Sequence, residues 1–188
     1  MTKHLVIVGA LIVILTLCVV MARAQRRLDH SFSLHAAQSR DLYLLFAFGI
    51  TAAMAVFAVW FWRWFVPVYV PGQPLQTVFS VFLLLMVVTA WIPWRPGLKG
   101  QIHDAAFYTA TGLLPCIALL SAQLHSLPVS ARSVSWIALG LELLLGLVFI
   151  FRNREVKRRF FVFQAIFLSV ALLQLIAITF LKWVTSCA

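Results

Sequence analysis

Charged side chains are scarce in this sequence. Asp, Glu, Lys and Arg make up only 11% of its 188 residues, whereas 63% of the residues are hydrophobic. Soluble domains carry roughly a quarter charged residues and about half apolar ones, so this composition excludes an ordinary soluble domain. It indicates a polytopic integral membrane protein.

Signatures of metal proteins and enzymes are also missing. The three cysteines, Cys18, Cys116 and Cys187, are far apart and form neither a disulfide framework nor a metal motif. The chain has no HExxH zinc motif and no GxSxG nucleophile elbow. His103 and His125 lie at the two ends of one predicted helix, which disfavours a haem with two axial histidines. We therefore expect no metal and no cofactor, and an enzyme is the least favoured class.

Positive charge, by contrast, is abundant, with a net charge of +10. The basic residues lie in short connectors and never line one helix face, which argues against a nucleic-acid partner. Eleven of the fifteen Lys and Arg residues fall on one side of the predicted membrane and four on the other. Because Lys and Arg accumulate in cytoplasmic loops, the first, third and fifth connectors are predicted to be cytoplasmic and both termini to lie outside.

Six apolar segments are suited to membrane helices, each of which needs about 20 residues. We expect an all-α fold, a single domain over residues 1–188 that forms a bundle of six transmembrane helices with antiparallel neighbours. The predicted helices cover residues 5–22, 41–62, 76–93, 104–124, 133–151 and 160–182.

The ends of the first two segments lead to further expectations. Residues 1–24 have the charge and small-residue pattern of a signal peptide. We favour an uncleaved first helix, because Arg23, Arg26 and Arg27 follow directly and would otherwise have to cross the membrane. After the second segment, aromatic residues around Arg63 and three prolines predict an interfacial anchor and a helix stop.

Glu142 is the most informative polar residue, because it lies near the middle of the fifth segment. A charged group there costs at least ~2.5–3.5 kcal/mol on insertion scales, so Glu142 is expected to face the bundle interior. Ala138 and Gly146 lie on the same face and would let a neighbouring helix approach. Thr51 and Thr111 are predicted at the same depth. Glu142 is either a proton carrier or ion ligand, or a neutral structural acid hydrogen-bonded to a threonine or a carbonyl.

A second candidate site lies at the start of the fourth predicted helix. His103 and Asp104 open this helix, and Asp104, Tyr108 and Thr111 share one face. Asp104 is either part of a ligand site or a helix-capping acid. Basic and imidazole side chains predicted on the same side are candidates for binding a lipid headgroup or phosphate. These headgroup candidates are His30, His35, Arg40, Arg95 and Lys99.

Two stretches carry a resemblance to a known family. They are LDHSFSLHAAQSRD before a long apolar helix, and IPWRPGLKGQIHDAAFY at the start of the fourth helix. They resemble the bacterial and archaeal six-helix family catalogued as domain of unknown function 998. The resemblance implies a six-helix architecture in the plasma membrane of a prokaryote, and it transfers no activity. The residues that carry it are Ser31, Ser33, Pro93, Pro96 and His103.

Two functional classes remain open. The first is a protein that handles a small molecule, a lipid or an ion through a polar site between the second, fourth and fifth helices. The second is a non-catalytic membrane scaffold or assembly partner. Gln164, Ala171 and Gln174 form a polar and small stripe on the sixth helix, which we interpret as interhelical hydrogen bonding. Membrane lipids are the expected partners in either case.

Overall fold

Six long apolar helices dominate the computed structural model, which describes residues 2–23, 31–92, 97–152, 156 and 159–185. All six are long and apolar enough to cross a membrane, which confirms the predicted all-α six-helix bundle. A seventh, short helix lies between the first two. In chain order the helices are α1 (Leu5–Arg23), α2 (Phe32–Ala36), α3 (Arg40–Tyr69), α4 (Gln73–Trp91), α5 (Leu98–Ala122), α6 (Val129–Phe151) and α7 (Phe160–Thr185).

The long helices form a ring. Each one packs against the next long helix in the chain, and α1 also contacts α7. Short connectors favour this order, because they place consecutive helices side by side and antiparallel. A ring of six helices leaves space along its axis, and this space becomes the cavity described below.

The contact between α1 and α3 depends on two glycines. A Cβ atom at Gly9 would lie only 2.8 Å from the ring of Phe57, and one at Gly49 would collide with the side chain of Thr16. Small residues let membrane helices approach closely, since packing rather than the hydrophobic effect drives their association. Helix α1 is thereby held along α3, with Val6, Val13 and Val20 among its buried residues.

Helix α3 runs past its predicted end. The prediction placed the end near residue 62, whereas the helix continues through a π-helical turn at Phe61–Phe65 and reaches Tyr69. Proline lacks an N–H donor and normally breaks a helix interior. Here Pro67 follows the wider π turn, in which the amide of Val66 donates a hydrogen bond to the carbonyl of Phe61. The stop comes at Val70, whose φ of 47° is left-handed.

Helix α5 starts earlier than predicted. It begins at Leu98, after Gly97 with its φ of 98°, so His103 and Asp104 lie more than one turn inside the helix. The expectation that these two residues open the helix is therefore wrong, and Asp104 is not the helix cap that one of the two alternatives made it. The unpredicted helix α2 has Ser31 as its N-cap, since the Ser31 hydroxyl accepts a hydrogen bond from the amide of Leu34.

Candidate functional site

A central cavity of about 190 Å³ lies on the axis of the ring. All six long helices and α2 contribute to its wall, and ten of the sixteen phenylalanines line it. One water-sized group needs roughly 10–15 Å³, so the cavity has room for on the order of a dozen methylene-sized groups. From Phe46 to Phe57 it follows α3 for about 17 Å at ~1.5 Å per residue. The wall and the length suit a hydrocarbon chain.

An aromatic cluster closes one end of this cavity. Phe61 of the π-helical turn stacks on Phe79 of α4, with ring centroids 4.2 Å apart. Trp60 lies 6.1 Å from the ring of Phe79 and 5.4 Å from that of Phe65. Trp60, Phe61 and Phe65 are at most 2% exposed. Since Phe79 also lines the cavity, this aromatic plug forms its floor.

A polar vestibule of about 340 Å³ lies at the opposite end. It shares six wall residues with the cavity, so the two spaces lie directly next to each other. The shared residues are Ser33, Phe107, Tyr108, Phe149, Phe160 and Gln164. Ser31, His103 and Asp104 line the vestibule only. The combined space therefore has a polar mouth and an apolar interior.

His103 is a buried polar residue of the vestibule, and both of its ring nitrogens have hydrogen-bond partners. It is 3% exposed, its Nδ1 lies 2.6 Å from the carbonyl oxygen of Ile92, and its Nε2 lies 3.0 Å from the hydroxyl of Ser33. A carbonyl can only accept, so Nδ1 carries the ring proton. In the neutral ring Nε2 is then an acceptor, and Ser33 donates its single hydroxyl proton to it.

The network continues to the start of α2. Ser31 Oγ lies 3.0 Å from Ser33 Oγ. Because the Ser33 proton is directed at His103, Ser31 donates to Ser33. Every group in this hydrogen-bond network has a partner. The network therefore fixes the position of α2 against α5 and determines which atom donates in each hydrogen bond.

Gln164 of α7 completes the polar wall. Its Oε1 accepts a hydrogen bond of 3.1 Å from the amide of Phe32, the residue directly before Ser33. An amide that accepts through its oxygen is fixed in orientation, which leaves its NH2 group as a donor. Since Gln164 lines both spaces, this donor belongs to the boundary between the vestibule and the cavity.

Glu142 is buried, but outside this site. It is 1% exposed on the stripe with Ala138, and it belongs to neither wall, although Gly146 lines the cavity. Neither carboxyl oxygen has a hydrogen-bond partner among the described residues. The hydrogen bond to a threonine or a carbonyl, which the sequence suggested as one alternative, is therefore not formed within the described part of the chain.

The other candidates are divided between the site and the surface. Tyr108 and Thr111 line the cavity, and Thr111 donates to the carbonyl of Phe107. Thr51 instead accepts a 2.8 Å hydrogen bond from the indole of Trp91 on α4, so α3 does not bring it to Glu142. His35 is fully buried, and its Nδ1 lies 3.4 Å from the amide nitrogen of Gln38.

The charged headgroup candidates lie away from the vestibule wall. Arg40 and Lys99 are exposed and line neither space. His30 and Arg95 lie outside the described residues. Three polar residues that do form the site were not predicted as site residues: Ser31, Ser33 and Gln164. The sequence pattern that could have identified Gln164 was its stripe with Ala171 and Gln174 on the sixth helix. All three of these residues line the cavity.

Comparisons with protein-family models, with curated proteins and with solved structures give no significant match for this chain. The arrangement of its own residues is therefore the basis for the functional proposal.

Proposed function

We propose that the protein binds a single-chain amphiphile from the membrane. The alkyl chain occupies the central cavity, and the polar group lies in the vestibule. The observation that carries this proposal is that an apolar cavity and a polar vestibule adjoin along six shared wall residues. Ligand sites are typically apolar pockets with a few well-placed polar groups, and this combined space fits that description.

The vestibule favours an uncharged polar group over a phosphate. Its described wall contains hydroxyls, the His103 ring, the Gln164 amide and the carboxyl group of Asp104, and no Lys or Arg. Recognition of a phosphate normally uses Arg or Lys as the partner. A hydroxyl, an amide or an ester can instead be bound by the donors and acceptors present here.

Ion transport is less well supported than binding. Among the described wall residues of the cavity, the polar ones are few, and the aromatic plug blocks the end opposite the vestibule. An apolar cavity of this kind excludes water and accepts hydrocarbon. Glu142, the residue best suited to carry a proton in the bundle, is absent from both walls.

A cavity-filling variant tests the binding proposal. Ala171→Phe adds a ring to the cavity wall, whereas Ala105→Phe adds one to an exposed position of α5. The probe is a fluorescent C16 alcohol added to the purified protein in nanodiscs. We expect saturable binding by the wild type, at least tenfold weaker binding by Ala171→Phe, and unchanged binding by Ala105→Phe. Absence of saturable binding by the wild type, or equal effects of the two variants, would refute the proposal.

We further propose that the vestibule faces the cytoplasm of a prokaryotic cell and that both termini lie outside its plasma membrane. The charge asymmetry supports this orientation. The resemblance to the family catalogued as domain of unknown function 998 supports the assignment to a prokaryotic plasma membrane. In a variant without its three native cysteines, an impermeant maleimide should label Gln73→Cys in intact cells and Gln38→Cys only after permeabilisation. The reverse pattern would invert the topology.

A further inference from the structure

The hydrogen-bonded pair of Ser33 and His103 offers a chemistry beyond binding an amphiphile. We propose that Ser33 is a nucleophile, that His103 is its general base, and that the pair hydrolyses an acyl ester whose chain lies in the cavity. This inference rests on the proposed amphiphile binding, because the cavity is what brings an acyl chain to Ser33.

The first support is the direction of the protons. A serine hydroxyl becomes an effective nucleophile when a neighbouring base accepts its proton within hydrogen-bond distance. Ser33 Oγ lies 3.0 Å from His103 Nε2, and the donation of Nδ1–H to Ile92 leaves Nε2 as the acceptor. The tautomer required for general-base catalysis is therefore the one that the network imposes.

The second support is the group that orients the base. In serine and cysteine hydrolases a third residue holds the imidazole in the productive tautomer, and a neutral amide can fill this role in place of a carboxylate. The carbonyl oxygen of Ile92, 2.6 Å from Nδ1, is in the corresponding position here. Backbone carbonyls commonly fix a histidine tautomer in this way.

The third support is the position of Ser33 relative to a bound chain. Ser33 lines both the apolar cavity and the vestibule, so an ester with its acyl chain in the cavity has its carbonyl group at the level of Ser33. The NH2 group of Gln164 is a donor at the same boundary. Side-chain amides of this kind stabilise the negative oxygen that forms during acyl transfer.

The proposed reaction has two steps. Ser33 Oγ attacks the ester carbonyl and its proton passes to His103 Nε2; the C–O bond to the alcohol then breaks, and the alcohol leaves with that proton. In the second step a water molecule from the vestibule gives a proton to His103 and attacks the acyl-serine. The fatty acid is released, and the proton returns from His103 to Ser33. Water is the only co-reactant.

The wall chemistry favours acyl over phosphoryl transfer. Phosphoryl transfer needs cations to neutralise charge on the equatorial oxygens. The described vestibule wall provides no Lys or Arg, and it contains Asp104. An uncharged carbonyl ester needs only a donor for one developing oxyanion, which Gln164 provides.

A serine-reactive amphiphile tests the assignment. Purified full-length protein in nanodiscs is incubated with hexadecyl fluorophosphonate, and intact mass and peptide mapping locate the adduct. We expect one adduct, on Ser33, and none in Ser33→Ala. In His103→Asn the side-chain amide can still donate to Ile92 while the base is lost, so labelling should slow by at least ~100-fold. Ser169→Ala removes an exposed α7 hydroxyl that bonds its own helix, and labelling should be unchanged.

Two further measurements separate the possible failures. Thermal unfolding shows that each variant is folded, and competition with the fluorescent C16 alcohol shows that the probe enters the cavity. If the probe displaces the alcohol but the wild type gives no adduct on Ser33, the nucleophile is refuted and amphiphile binding stands. Labelling of Ser33 that a folded His103→Asn leaves unchanged refutes the base. If the wild type binds the alcohol but the probe does not displace it, amphiphile binding stands and hydrolysis of an acyl ester in this cavity is refuted.

Discussion

His103 and Glu142 are both buried polar residues on adjacent membrane helices, yet their surroundings differ. His103, on α5, has a partner at each ring nitrogen, whereas neither oxygen of Glu142, on α6, has one among the described residues. A satisfied buried network holds its members in one geometry, while an unsatisfied polar group only adds a desolvation penalty. Burial is thus common to both residues. Only His103, which has hydrogen-bond partners, belongs to an ordered polar site.

Replacing His103 by an apolar residue should have the largest effect on stability. His103→Leu leaves the Ile92 carbonyl and the Ser33 hydroxyl without a partner, and each buried group left unsatisfied costs about 1–3 kcal/mol. We expect the free energy of unfolding to fall by about 2–6 kcal/mol in SDS titration of detergent-solubilised protein. His103→Asn, which keeps a donor toward Ile92, should recover part of the loss. A loss below about 0.5 kcal/mol for His103→Leu would contradict the comparison.

Replacing Glu142 by an apolar residue should act in the opposite direction. A buried polar group without a partner costs about 1–3 kcal/mol, so Glu142→Leu should raise the free energy of unfolding by about that amount. A loss of stability would instead follow from the alternative in which Glu142 is a structural acid hydrogen-bonded to a threonine or a carbonyl. The same SDS titration measures the change, with Glu142→Gln as the control that keeps a polar side chain. A clear fall for Glu142→Leu would show that Glu142 has a partner in the membrane after all.

Removing the hydroxyl of Ser135 should have the smallest effect. Ser135 bonds the carbonyl of Ala131 in its own helix and accepts only a long, 3.5 Å hydrogen bond from Gln174. Ser135→Ala removes only this long, weak hydrogen bond between α6 and α7, so the change should stay within about 0.5 kcal/mol in the same titration. A larger loss would mean that the contact between α6 and α7 depends on the Ser135–Gln174 pair. This pair would then be a third buried polar site beside His103 and Glu142.

The six spans could be predicted because membrane helices are recognised by apolar length, which is a local property. The burial of Glu142 followed from the same local reasoning. The end of α3 could not be predicted, because a proline normally ends a helix. Here a π-helical turn directly precedes Pro67, and the helix continues to Tyr69. The start of α5 was misplaced because its polar residues resembled a cap, while Gly97 sets the actual start.

The composition of the site was only partly predictable. His103, Asp104 and Tyr108 share a helix, so their spacing placed them together. Ser33 and Gln164 reach the same vestibule from α2 and α7, and no local pattern specifies which distant helix closes a ring. Thr51 was assigned by depth alone, and depth does not define direction around a bundle. Its actual partner, Trp91, lies on the neighbouring helix α4.

Because α3 is long, the structure of this protein should depend on the thickness of the membrane. With 30 residues the helix is about 45 Å long, whereas the hydrocarbon core measures about 30 Å. Such an excess is accommodated by tilt or by local thickening of the bilayer. Because Trp60, Phe61 and Phe65 lie in the last third of α3, a change in tilt moves the aromatic plug relative to the other helices. Lipids with longer or shorter acyl chains should therefore change the depth of the cavity, and with it the chain length that the protein prefers.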